Sequence, residues 1–61
     1  MKEEIISQLD FTNEEYEQKV AGQKGVATFD EFIANIIESV KDNNGTVQDA
    51  IYIANDAFAK L

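Results

Sequence analysis

From Thr28 to Lys41 the apolar residues Phe29, Phe32, Ile33, Ile36, Ile37 and Val40 recur at i, i+3, i+4, i+7, i+8 and i+11. At about 100° per residue these positions fall in one stripe, the pattern of a helix packed along one side. From Thr46 onward, Val47, Ala50, Ile51, Ala54, Ala57, Phe58 and Leu61 follow the same rule. Three of these seven are alanines, so a partner helix can approach this stripe closely. The two predicted helices should pair antiparallel across Asp42-Asn43-Asn44-Gly45, whose Asn and Gly residues tolerate the left-handed backbone that often ends a helix.

Cap signatures sharpen these boundaries. Thr12 is followed three residues later by Glu15, Thr28 by Glu31, and Thr46 by Asp49, the last a weaker version with a shorter acid. In each, the Thr side chain can accept from a free N–H of the first turn while the acid reaches back to the cap and faces the positive end of the helix dipole. Phe11 before the first cap and Tyr16 four residues after it can close as a hydrophobic staple. Upstream, Ile5, Ile6 and Leu9 form a short amphipathic stretch, and Tyr16 and Val20 another. Cap and staple favour a break between them, although one continuous helix over residues 1–21 also fits the pattern. Residues 22–27 are the longest loop candidate.

The expected fold is all-α: a small bundle of three to four helices at about 2–10, 13–21, 29–41 and 47–60, forming a single domain over residues 1–61. Its expected core is Ile5, Ile6, Leu9, Phe11, Tyr16, Val20, Phe29, Phe32, Ile33, Ile36, Ile37, Val40, Val47, Ile51, Ala54, Phe58 and Leu61.

Composition then narrows the chemistry. A chain of 61 residues is short for a self-sufficient core, and this one has neither cysteine for disulfides nor histidine for the commonest metal and general-base sites. No cofactor or metal is expected. Ser7 and Ser39 have no histidine beside them, and the carboxylate pairs Glu14-Glu15 and Asp30-Glu31 sit where helix-start acids belong and point about 100° apart. No catalytic residue is assigned, and the chain is read as no enzyme. An EF-hand counted from Asp42 would need glycine at its sixth position and glutamate at its twelfth, where Val47 and Ile53 stand. Gly22-Gln23-Lys24-Gly25 has the shape of a GXXG loop, but it lacks flanking strand patterns and a basic surround.

The formal charge of −7, with twelve acids, five scattered lysines and no arginine, argues against direct nucleic-acid binding and against an anionic membrane surface. No apolar run is long enough to span a membrane, and Met1-Lys2-Glu3-Glu4 does not read as a secretory signal, so a cytoplasmic protein is expected.

The acids are unevenly placed. Residues 1–17 hold Glu3, Glu4, Asp10, Glu14, Glu15 and Glu17 against Lys2 alone. Such a distribution can be a solubilising face with helix-start acids, or an electrostatic lure for a basic surface on a protein partner. A second candidate lies on the last helix. Tyr52 falls about 140° from Val47 on the polar face, near Asp56, with Ile53 at the edge of the apolar stripe. Tyrosine combines large area with a polar tip and is a favoured interface anchor, although the same residue could pack beneath the N-terminal helices. The candidate partner-binding residues are therefore Glu3, Glu4, Asp10, Glu14, Glu15, Glu17, Tyr52, Ile53 and Asp56.

Glu3-Glu4-Ile5-Ile6-Ser7-Gln8-Leu9 with Phe11 and Thr12-Asn13-Glu14-Glu15 resembles the first helices of ubiquitin-associated domains, and residues 44–51 are similar to the start of their last helix. Leu9-Asp10-Phe11 replaces the Met-Gly-Phe loop of those domains, and the predicted helix 29–41 has no counterpart in them, so no family is assigned. In overall profile the chain resembles small acidic antagonist proteins of bacterial viruses. The expected function is a non-enzymatic protein-binding module acting as inhibitor, antagonist or adaptor of a larger protein. The alternative is a self-assembling structural module, a homodimer that completes its core from two chains.

Overall fold

A computed structural model describes residues 2–61, and among these the chain is all-helical. Helix α1 spans Lys2–Ser7, α2 Asn13–Val20, α3 Phe29–Asp42 and α4 Val47–Ala59. The most extensive helix pairing is α3 with α4; α1 packs on both, and α2 packs on α3.

The three capping boxes all close. Glu15 N–H donates to Thr12 Oγ1 at 3.1 Å while Thr12 N–H donates to Glu15 Oε1 at 3.0 Å. Glu31 N–H donates to Thr28 Oγ1 at 3.2 Å, and the Thr28 N–H and hydroxyl both reach Glu31 Oε1. The third box, expected to be weaker, has the shortest return bond of the three: Thr46 N–H donates to Asp49 Oδ2 at 2.9 Å. The shorter acid reaches because Gly45, directly before the cap, has no side chain. A Cβ there would stand 3.0 Å from Asp49 Oδ2 and 2.8 Å from Val40 Cγ1.

The α3–α4 connection is equally local in origin. Asn44 takes the left-handed backbone, φ 56°, and its N–H donates to the Lys41 carbonyl at 3.1 Å while Gly45 N–H donates to the Val40 carbonyl at 2.7 Å. This pair of bonds is a Schellman closure, which satisfies carbonyls that a helix end otherwise leaves without partners.

Helix α3 is the spine of the core. Its Ile36 and Val40 face Ile5 of α1 and Ala50, Ile51 and Ala54 of α4, whereas its Phe29 and Ile33 face Phe11 and Tyr16. Leu9, Phe32 and Ile37 pack against both groups and join them. Phe11 stacks on Phe58 with ring centroids 4.0 Å apart and lies edge-on to Phe29 at 6.2 Å. The other face of the Phe58 ring carries the Lys19 ammonium, 4.5 Å from its centroid. Phe11 and Tyr16, the expected staple pair, are both buried and share Phe29 and Phe32 as ring neighbours.

Four details depart from the sequence reading. The N-terminal stretch is two helices, as the cap and staple favoured, but α1 stops at Ser7 rather than continuing to residue 10. There the chain tightens through i→i+3 bonds, Gln8 N–H to Ile5 O and Leu9 N–H to Ile6 O, and Ser7 Oγ turns back onto the Glu4 carbonyl. Leu61, expected in the core, is 45% exposed, because α4 ends at Ala59 and the chain has left the helical stripe by then. Ala50, absent from the expected core, is fully buried at the close approach of α4 to its neighbours. The expected core residues Ile6, Leu9, Val20, Phe32, Ile37, Val47 and Phe58 are half-buried, as a bundle this small has too little interior to enclose them all.

Candidate protein-binding surface

Tyr52, Ile53 and Leu61 are the large apolar side chains left exposed among the described residues. Tyr52 is 66% and Ile53 44% exposed, so Tyr52 does not pack beneath the N-terminal helices. Both line one open groove of about 250 Å³ between the end of α3 and the first turns of α4, together with Ser39, Val40, Asn43, Gly45 and Asp49.

Local structure builds this groove. The Schellman turn brings Gly45 back over Val40, the Thr46 box fixes the direction in which α4 departs, and Tyr52 and Ile53 follow one turn later on the same flank. Asn43 is held by its side chain, which donates to the Ser39 carbonyl at 2.9 Å. Asp49 is the single charged residue of the lining. The C-terminus of α3 and the N-terminus of α4 meet here, so their dipole poles oppose one another and the Asp49 carboxylate is left as the net charge of the lining, which favours a cation.

The other candidate residues are distributed differently. Asp56 lies beyond the groove and pairs with Lys60 at 3.0 Å. Glu3 and Glu4 stand in the first turn of α1, and Glu14 and Glu15 in the first turn of α2, where the helix dipole already accounts for an acid. Glu15 is further committed to its capping box. Asp10 occupies the break between α1 and α2, and its N–H donates to Asn55 Oδ1 of α4 at 3.0 Å. Glu17 is exposed on α2. The structure thus brings Tyr52 and Ile53 together and leaves the acids of residues 3–17 on separate elements outside the groove.

Comparison with models of protein families, with curated proteins and with solved structures finds no match. The local likeness to ubiquitin-associated domains is not extended by any family match.

Several contributors escaped the sequence reading. Ser39, Val40, Asn43, Gly45 and Asp49 were legible as helix and turn residues, but nothing in their spacing marks a groove, which arises only when α4 folds back. The Lys2–Asp30 ion pair at 3.0 Å and the Asp10–Asn55 bond join residues far apart in the chain and carry no local signal. Among the described residues no group of three acids converges in a way that could hold a metal ion, and no helix is long and apolar enough to cross a membrane.

Proposed function

We propose that this chain is a cytoplasmic, non-enzymatic protein-binding module that acts as an inhibitor, antagonist or adaptor of a larger protein. The observation that carries the reading is the pairing of exposed Tyr52 and Ile53 on one groove, when the other large apolar side chains among the described residues, Leu61 apart, are buried or half-buried. An aromatic and an aliphatic residue side by side at the surface lose water contact when a partner covers them, and tyrosine is among the residues that most often dominate such interfaces. The net charge of −7 supports a partner with a basic surface, since complementary charge speeds encounter and selects among partners. The acids at Glu3, Glu4, Asp10, Glu14, Glu15, Glu17 and Asp56 then act at longer range, as a field that guides approach.

Affinity capture from the native host at low and high salt tests this reading, with wild type and Tyr52→Ala as parallel baits. A partner retained by wild type, lost with Tyr52→Ala and weakened by salt supports it. Recovery of no specific partner at either salt counts against it. The homodimer reading draws on the same exposed residues, and sedimentation at two concentrations separates the two: a self-assembling module loses mass and helicity together on dilution.

A further inference from the structure

We propose that the α3–α4 groove takes one turn of a basic amphipathic helix from the partner protein, an aliphatic side chain seated between Val40, Tyr52 and Ile53 and a Lys or Arg one turn away lying against Asp49 and the Tyr52 ring. This rests on the protein-binding reading above and specifies the occupant. At about 250 Å³ the groove is smaller than the roughly 300–1,000 Å³ of pockets that enclose small molecules, and it fits the side chains of a polypeptide better. It is bounded by two helices, and among the described residues there is no strand edge to extend, so a helix laid along the groove is the recognition mode the geometry offers.

The sign of the occupant's charge follows from the lining. Asp49 supplies the one net charge of the lining, the opposed poles of the α3 C-terminus and the α4 N-terminus offset each other, and no lysine lines the groove. Asp49 uses Oδ2 to hold the Thr46 N–H, which fixes the carboxylate in place. The Tyr52 ring, well exposed beside it, offers a face to the same cation. An acidic helix would be repelled by the Asp49 carboxylate and by the chain's net charge of −7.

The test is an amide NMR titration of the folded chain with a synthetic helical peptide of about 14 residues, leucines at i, i+3, i+4 and i+7 and lysines elsewhere. A control peptide carries glutamate for every lysine. The expected result is that the lysine peptide shifts the amides of Ser39, Asn43, Gly45, Asp49, Tyr52 and Ile53, and that binding weakens about 30-fold in Tyr52→Ala. Asp49→Asn, which keeps an oxygen for the Thr46 N–H, should also weaken it, as should added salt. Shifts spread over residues 3–17 with the groove silent overturn the inference while leaving the protein-binding reading intact. So does equal binding of the glutamate peptide. Concentration-dependent shifts at the groove without any peptide, with a doubled mass in sedimentation, overturn it in favour of a second copy of this chain. If affinity capture from the host yields no partner, the wider reading fails instead.

Discussion

The Tyr16 hydroxyl donates a 2.6 Å hydrogen bond to the Ala27 carbonyl, tying α2 to the far end of the loop that precedes α3. Tyr16 is 2% exposed and its ring lies against Phe29 and Phe32, so one side chain anchors α2 to α3 and closes the segment between them. Within that segment Gly22 and Gly25 both take positive φ, 80° and 75°. Removing the hydroxyl with Tyr16→Phe keeps the ring packing and leaves a part-buried carbonyl short of its donor, at a cost of about 1–2 kcal/mol. Urea unfolding measures the loss, and faster amide exchange across residues 21–28 should accompany it.

The same residue sets a pH dependence. Burial pushes the Tyr16 hydroxyl above the ordinary phenol value of 10.0, and the Glu31 carboxylate adds to the effect. The folded state therefore holds this proton more tightly than the unfolded chain. The corresponding stability is fully present below pH 10.0 and is lost as pH rises through the folded value. Wild type should lose stability above that point more steeply than Tyr16→Phe, and melting curves from pH 8 to about 11 check the difference.

Core and surface substitutions should separate cleanly. At roughly 0.05–0.15 kcal/mol per residue, a domain of 61 residues is stable by only about 3–9 kcal/mol. Ile33 is fully buried on α3, and Ile33→Ala should cost about 2–5 kcal/mol. That loss should appear as a large fall in the melting temperature followed by circular dichroism. Tyr52→Ala, on an exposed side chain, should stay within about 0.5 kcal/mol of wild type in the same measurement.

The turn between α3 and α4 yields a paired prediction of opposite sign. Gly45→Ala would place a methyl 2.8 Å from Val40 Cγ1, too close without displacing the turn, and should lower the melting temperature. Asn44→Gly relieves the left-handed backbone at φ 56° and should leave stability unchanged or raise it by up to about 1 kcal/mol. Thr46→Ala, which removes the hydroxyl of the adjoining box, should cost about 1 kcal/mol.

What the sequence disclosed is the part of the fold written in neighbouring residues. Thr12, Thr28 and Thr46 announce their helices because a capping box spans only four positions, and Asn44 and Gly45 announce the turn for the same reason. The stripe from Phe29 to Val40 was legible because one face of a long helix repeats its requirement every turn. The stop at Ser7 was not, since Leu9 sits at a helical spacing from Ile5 yet is drawn off the helix to join the two halves of the core. Leu61 misled similarly: it continues the α4 stripe on paper, beyond the point where the helix has ended. Of the candidate site, Tyr52 was visible as an aromatic on the polar face of an amphipathic helix and Ile53 as a residue at the edge of its apolar stripe. Their groove was invisible, because four of its seven lining residues come from α3 and the turn, and only tertiary packing sets those residues beside α4.

The most direct test is quantitative binding of the protein captured from the host, purified and titrated against wild type and Tyr52→Ala at equal ionic strength. The expected result is that Tyr52→Ala keeps its helical signal and melting temperature while its affinity falls about 30-fold, the mark of an interface anchor that the fold does not need. Equal affinity for the two chains would contradict the assignment of this surface, as would a Tyr52→Ala chain that loses binding only because it has unfolded.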